Sequence, residues 1–165
     1  MKLSRVARHL TASHRQVRHL FPSVTMMAIE QAIAASEANH AGEIRFAVEA
    51  ALEIGPLLDG QTARSRAIDV FSQLRIWDTE HRNGVLIYLL LADRDVEIVA
   101  DRGIAQTVGG NEWELICREM ERAFKKRDFE GGVLNGIKAV SRHLIHRYPA
   151  DGDARNEVEN APVVL

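Results

Sequence analysis

The sequence predicts an α/β protein: a three-layer α/β/α sandwich around a small mixed β-sheet, built from a parallel βαβ unit and an antiparallel hairpin. Three observations carry this. The first is the run 85–91, Val-Leu-Ile-Tyr-Leu-Leu-Leu, which holds no charge. It is too short to cross a membrane, and its branched side chains suit a strand covered on both faces. The second is the stretch 96–101, where Val96, Ile98 and Ala100 alternate with Glu97, Val99 and Asp101 as in a strand with one less buried face. Asp93-Arg94 would join the two as a two-residue turn, although no glycine favours it. The third is the element order: helix, helix, strand, helix, strand, strand, helix, helix. A strand, crossover helix and second strand make a right-handed parallel unit, and the remaining helices cover both faces.

The first helix spans 4–20, where Val6, Leu10, Val17 and Leu20 recur at helical spacing among basic residues. Pro22 breaks it, since proline disfavours helix at the residue before it, and Ser23 is the candidate N-cap of a second, alanine-rich helix over 24–39. Gly42 stands near the expected C-cap. Residues 43–51 read as a strand, with Ile44, Phe46 and Val48 on one face and Arg45, Ala47 and Glu49 on the other. Gly55, Pro56 and Gly60 make 54–61 a loop. Thr62 caps a helix to about residue 76, with Ala63, Ala67, Val70, Phe71 and Leu74 on one stripe. The hairpin follows, then a connection over 103–110. Asn111, with Glu114 in capping-box position, opens the next helix, whose stripe is Trp113, Ile116, Cys117, Met120 and Phe124. Lys125, Lys126 and Arg127 suit its C-terminal dipole. The last helix runs 129–147 on Val133, Leu134, Ile137, Val140, Leu144, Ile145 and Tyr148, and Pro149 stops it. Residues 150–165 are acidic and aperiodic and read as a mobile tail. The division is therefore a basic N-terminal helix over 1–22, an α/β/α domain over 23–149 and an acidic tail over 150–165.

A chain of 165 residues is long enough for one domain with a real core. The net charge of −2 gives no nucleic-acid signal. The charge is uneven, because residues 1–20 hold five basic residues and no acid while the remainder is acidic. A basic arm on an acidic body fits three placements: an anionic membrane surface, an acidic partner, or the domain's own acidic face. The single Cys117 excludes an internal disulfide and a cysteine-based zinc site. Basic and histidine residues interrupt the first twenty positions, so no signal peptide is read there. The expectation is a cytoplasmic protein, with peripheral attachment to the inner membrane as an option.

Several segments, taken in order, resemble the TPM domain family. They are Phe71-Ser72-Gln73-Leu74-Arg75-Ile76-Trp77 closing the crossover helix, Asn83-Gly84-Val85-Leu86-Ile87, Asp93-Arg94 before the second hairpin strand, and Phe129-Glu130-Gly131-Gly132-Val133-Leu134 opening the last helix. The resemblance covers about 29–148. It implies an α/β/α sandwich, with divalent-cation binding and acid-phosphatase activity in some members. It also implies repair or accessory roles around membrane complexes, in thylakoid-lumen, photosystem-repair and bacterial-envelope proteins. This chain departs from the family at Arg82, where an acid often precedes Asn-Gly, and at Asp101-Arg102-Gly103, in place of a glycine-rich segment.

The leading site is the loop 78–83 with Asp101. A register placing residue 86 opposite 101 brings Asp101 to the loop's end of the sheet, where Asp78, Glu80, Asn83 and Asp101 offer hard oxygen ligands for Ca²⁺ or Mg²⁺. The competing reading is a solvated polar loop whose acids pair with Arg82 and Arg102. His81 is the one histidine placed there to act as an acid or base. A second acidic group, Glu49, Glu53, Asp93 and Asp95, lies at the other sheet end, which the crevice rule for parallel strands favours. A nucleophile with an anion cradle is not apparent. Ala123 stands where a cysteine phosphatase would place its arginine, and Ile137 where a phosphate loop would place its lysine. His143 and His146 are three apart on the last helix and read as a partly exposed pair. No organic cofactor and no nucleic acid are expected. The functional expectation is an accessory or interaction module, tuned by a divalent cation, that meets a protein partner such as a membrane complex. The alternatives are a metal-dependent phosphatase and a peripheral protein that binds anionic membrane through residues 1–20.

Overall fold

The computed structural model describes residues 3–150, 152 and 155–165. Lys2 of the basic arm and residues 151, 153 and 154 of the expected tail lie outside them. The elements in chain order are α1 (Leu3–Thr11), α2 (His14–Leu20), α3 (Ser23–Glu37), β1 (Glu43–Glu49), α4 (Ile54–Leu58), α5 (Ala63–Gln73), β2 (Gly84–Leu90), β3 (Asp95–Ala100), α6 (Arg102–Ala105), α7 (Gly110–Lys125), α8 (Phe129–Arg147) and β4 (Val163–Val164). The sheet order is β3-β2-β1-β4. β1 runs parallel to β2 and to β4, and β2 runs antiparallel to β3. This is the mixed sheet with helices on both faces that the sequence predicts.

All seven residues of β1 and of β2 are buried. On one face, Ile44, Phe46, Val48, Val85, Ile87, Leu89, Val96 and Ile98 pack with residues of α2, α3, α7 and α8. On the other, Ala47, Leu86, Tyr88, Leu90 and Val99 pack under α5 and around Leu57 of α4. Burying the β2 side chains is worth on the order of 10 kcal/mol before chain entropy is charged. The face under α5 also buries charge, in fully partnered form. Glu49 accepts from Arg66 at 2.9 and 3.0 Å and from the Tyr88 hydroxyl at 2.5 Å. Burial, then the Glu49 carboxylate, pushes the Tyr88 hydroxyl pKa upward.

The expected helix over 4–20 is two helices. Ser13 caps α2 reciprocally with Gln16, and this capping box stops α1 at Thr11. α1 docks its basic residues on the domain: Arg5 donates to Asp93 at 2.8 Å, Arg8 at 3.2 Å, and His9 Nε2 stands 3.2 Å away. α1 thus takes one of the three placements for the basic arm, the domain's own acidic face, while Arg15 and Arg18 of α2 are exposed. Burial raises the Asp93 pKa, but bonds and charge from Arg5 and His9 outweigh it and hold the carboxyl below its ordinary range.

Other boundaries move for local reasons. Ser23 is the first helical residue of α3, with Pro22 in the cap position, and Ala38, not Gly42, closes it. The loop at 54–61 contains α4, and the connection after β3 contains α6. Gly109 caps α7 without any side-chain bond, so the expected Asn111–Glu114 box does not form. Thr62 caps α5 as expected, and α8 has its expected bounds. The hairpin register differs by two residues: Leu86 faces Val99, and Leu90 faces Asp95. A four-residue connection replaces the two-residue turn, and Arg94 closes it at φ 56°. Arg75, Arg82 and Arg127 also have positive φ, at 55°, 51° and 66°. An L-residue pays about 1 kcal/mol for that backbone relative to glycine.

The expected tail is the largest correction. β4 adds to β1, and the Leu165 amide donates to the Val48 carbonyl at 3.0 Å. Buried Glu43 accepts from the amides of Glu157 and Val158 at 3.0 and 3.1 Å, and Arg45 donates to the Glu159 carbonyl. Residues 157–165 are thus a strap held by β1 side chains. At the far edge of the sheet, Glu121 accepts from the Val96 amide and Arg64 donates to the Ile98 carbonyl. No helix among the described residues is long and apolar enough to cross a membrane.

Glu37 accepts from the Ile44 amide at 3.0 Å beneath this strap. Burial, the largest cause, and the nearby Glu43 push its pKa from 4.5 to about 8. The native pKa exceeds the unfolded one, so the stability this proton supplies is whole below pH 4.5 and is lost as pH rises through about 8. Glu37→Gln should flatten that part of the profile and melt about 3 °C or more above the native chain at pH 9. Parallel melting profiles for the two proteins from pH 5 to 9 would contradict it.

Candidate functional site

The loop between α5 and β2 is held by its own polar groups. Thr79 is buried, and its hydroxyl accepts from the Asn83 amide at 3.2 Å. Asn83 is fully buried and donates from Nδ2 to the Ala41 carbonyl at 2.9 Å, which ties the loop to the segment entering β1. Across the sheet, the Asp101 amide donates to Gly84 and the Gly103 amide to Arg82, each at 2.9 Å. Asp101 therefore reaches the end of the sheet where the loop lies, although the register behind that expectation is two residues off. Its Oδ1 caps α6 by accepting from the Arg102 amide at 2.6 Å.

Among the described residues, three buried polar atoms on this rim have no hydrogen-bond partner: Asn83 Oδ1, Asp101 Oδ2 and His40 Nε2. A buried acceptor without a donor costs about 1–3 kcal/mol, so such atoms call for an explanation. His40 uses Nδ1 on the Gly42 carbonyl at 3.0 Å, and burial lowers its pKa, which keeps the ring neutral. Tyr148, at the end of α8, accepts from the Ala41 amide and stacks on His81 with ring centroids 6.4 Å apart. Sequence reasoning missed His40 and Tyr148, because neither lies near the loop in the chain. The isolated bridge between His40 and Pro149 brings their segments there.

The four expected ligands fall into two pairs. Asn83 and Asp101 supply neutral and anionic oxygens that lack donors, which suits a hard cation. Asp78 is exposed and bound by Arg75 at 2.8 Å, so its carboxylate is already engaged, by Arg75 and not by Arg82. Glu80 is exposed, and its amide donates to the Glu157 carboxylate at 3.0 Å. Among the described residues, no three His, Cys, Asp or Glu side chains are grouped to hold a metal ion. A cation here would rest on Asn83, Asp101 and main-chain carbonyls.

Of the acids expected at the other sheet end, Glu53 is exposed at the N-cap of α4 and two are already engaged. Glu49 is held by Arg66 and Tyr88, and Asp93 by Arg5 and Arg8. Burial, then Glu97, Glu121 and Asp93, pushes Asp95 up to about 6. Cys117 lies in the core, and burial, its largest cause, pushes the thiol up to about 12, which denies it a thiolate at neutral pH. Gly131 and Gly136 sit within α8, where an added Cβ at Gly136 would strike Met120. Gly136 serves helix packing and Gly131 lies against the Asp128 cap, so neither belongs to a phosphate loop. His143 lies against Trp113, with centroids 5.3 Å apart, and 3.5 Å from Glu112, while His146 is exposed.

Gly103 is one of the tight positions on the rim. A Cβ there would stand 2.5 Å from the carbonyl oxygens of His81 and Arg82 and 2.7 Å from the Tyr148 hydroxyl. Gly103→Ala should cost about 1–3 kcal/mol in urea unfolding, by overpacking. Unchanged stability would mean the rim yields freely.

Comparison with known proteins agrees with this architecture. A TPM domain profile matches residues 16–143. The solved structure of the BA42 protein from the psychrophilic bacterium Bizionia argentinensis aligns at a TM-score of 0.76 with 31% identity, covering 87% of this chain and 94% of that one. No curated protein sequence matches. A family profile spanning most of the sheet and its covering helices, with a solved relative alike along nearly its whole length, shows that the chain belongs to the TPM domain family.

Proposed function

We propose that this TPM domain is a non-catalytic accessory module of the cytoplasm, whose rim at 78–83 and Asp101 takes up a divalent cation, Ca²⁺ or Mg²⁺, and thereby sets the shape it offers to a protein partner. The observation that carries the proposal is the pair of buried, donor-free oxygens, Asn83 Oδ1 and Asp101 Oδ2, on segments hydrogen-bonded to one another. A hard cation would satisfy both, with main-chain carbonyls and water completing its shell. Glu80, exposed in the same loop, is the further carboxylate within the segment. The partner, by family resemblance, is a membrane-associated protein complex.

Two features favour this reading over the others. A cysteine phosphatase needs an accessible thiolate beside an anion cradle, and the one thiol lies buried in the core. A metal-dependent phosphatase needs ligands grouped around the ion that activates its water, and among the described residues no three His, Cys, Asp or Glu side chains are so grouped. A membrane-binding arm needs free cations, and two of its arginines, Arg5 and Arg8, are bound to Asp93, which leaves Arg15 and Arg18 exposed.

Binding to the folded state alone stabilises it by mass action. At 100-fold excess over Kd, this amounts to about 2.7 kcal/mol, or about 5–10 °C for a chain of this size. Calcium or magnesium titration followed by thermal melting should show that rise in the native chain, and chelation should reverse it. Asp101→Asn keeps the α6 cap and should remove most of the rise. The absence of any shift with either ion would refute the cation site. Phosphomonoester turnover that Asp101→Asn abolishes would replace the accessory reading with the enzymatic one.

A further inference from the structure

A cavity of about 650 Å³ opens at the end of β2 opposite the rim. Its walls come from the α1–α2 break, the β2–β3 connection, and the junction of α7 with α8. The break at Ala12 and Ser13, imposed by the α2 capping box, helps leave the space unfilled. The floor is apolar: Leu20, Leu89, Leu91, Phe124 and Phe129, the last two stacked at 5.2 Å. The rim is basic. Arg94, Lys125 and Arg127 line it, and none of them makes an ion pair among the described residues. Arg8 and His19 also line it, but Arg8 is shared with Asp93. The one carboxylate on the wall, Glu121, accepts from the Val96 amide.

Backbone conformation supplies a separate observation. Arg94 and Arg127 both hold positive φ, at 56° and 66°. Arg94 ends a hairpin connection, and Arg127 follows the C-cap of α7, and both are positions where glycine is the unstrained residue. Strained backbone persists where the side chain or its placement serves a purpose. Of the four arginines with positive φ among the described residues, two carry their charged group to this cavity, while Arg75 and Arg82 lie elsewhere. The cavity also lies beyond the carboxyl ends of the parallel strands, where open α/β sheets bind ligands.

We infer that this cavity is a binding site for a small amphiphilic anion, a molecule with one anionic head and an apolar body, the head held by Arg94, Lys125 and Arg127 and the body laid on Phe124, Phe129 and the leucines. A space of this size is ordinary for a small-molecule pocket. Guanidinium groups bind carboxylate and phosphate heads in two-pronged fashion. The site is separate from the cation rim, since the two lie at opposite ends of β2.

Octanoate is a suitable probe, with acetate as head alone and octanol as body alone, each titrated into the full chain and followed by amide NMR shifts. Octanoate should perturb Leu89, Ala92, Arg94 and Phe129 and bind at least about tenfold more tightly than either part. The double variant Arg94→Gly, Arg127→Gly relieves the backbone and should melt about 2–4 °C higher per site, so loss of folding cannot mimic loss of binding. It should weaken octanoate at least about fivefold. Octanoate binding unchanged in that variant, or shifts confined to other regions, would overturn the inference. Sedimentation with phosphatidylglycerol vesicles, without any response to monomeric octanoate, would overturn it in favour of a membrane surface.

Discussion

Every residue of β2 is buried, and a strand closed on both faces dictates what surrounds it. Its alternate side chains enter two different cores, so helices must cover both sides of the sheet. β1 shares this burial and pairs with it in parallel along seven residues. Such a sheet tolerates polar groups only where they are fully partnered. The carboxylates near its ends meet that demand by binding segments distant in sequence. Glu43 takes two amides of the C-terminal strap, Glu49 takes Arg66 and Tyr88, and Asp93 takes the arginines of α1. Both ends of the described chain are thus anchored to the strands by acids that would otherwise be expensive to bury.

Much of this was legible in the sequence because it rests on periodicity. An uncharged run of branched residues marks β2, and the stripe ending at Pro149 marks α8 with its observed bounds. The Thr62 cap follows from residue chemistry alone. What escaped rests on local chemistry that periodicity hides, or on contacts remote in sequence. Ser13 and Gln16 form a capping box inside a stretch that still reads as one helix. β4 is two residues long, too short for any alternating pattern, and it is held by β1 side chains that the tail itself cannot reveal. The hairpin register slipped by two because a left-handed arginine closes the turn where a sequence reading expects glycine or asparagine.

The rim divides along the same line. Asn83 and Asp101 were visible as oxygen donors at one end of the hairpin, and an error of two in register preserves which face and which end a residue occupies. Asp78 was lost to Arg75, a local pairing three residues away. His40 and Tyr148 arrive through the close of α8, and only the folded chain reveals their neighbourhood. The two ends of β2 differ in character as a result: one presents oxygens without donors, the other three cations, Arg94, Lys125 and Arg127, that make no ion pair among the described residues.

The outer edge of β3 carries its own protection. A bare strand edge is a template on which another chain can continue the sheet. Here the Glu121 carboxylate occupies one amide and the Arg64 guanidinium one carbonyl, so an incoming strand would first have to displace an anion and a cation. The edge is guarded by opposite charges from α7 and α5, and the sheet is thereby discouraged from growing into an aggregate on that side.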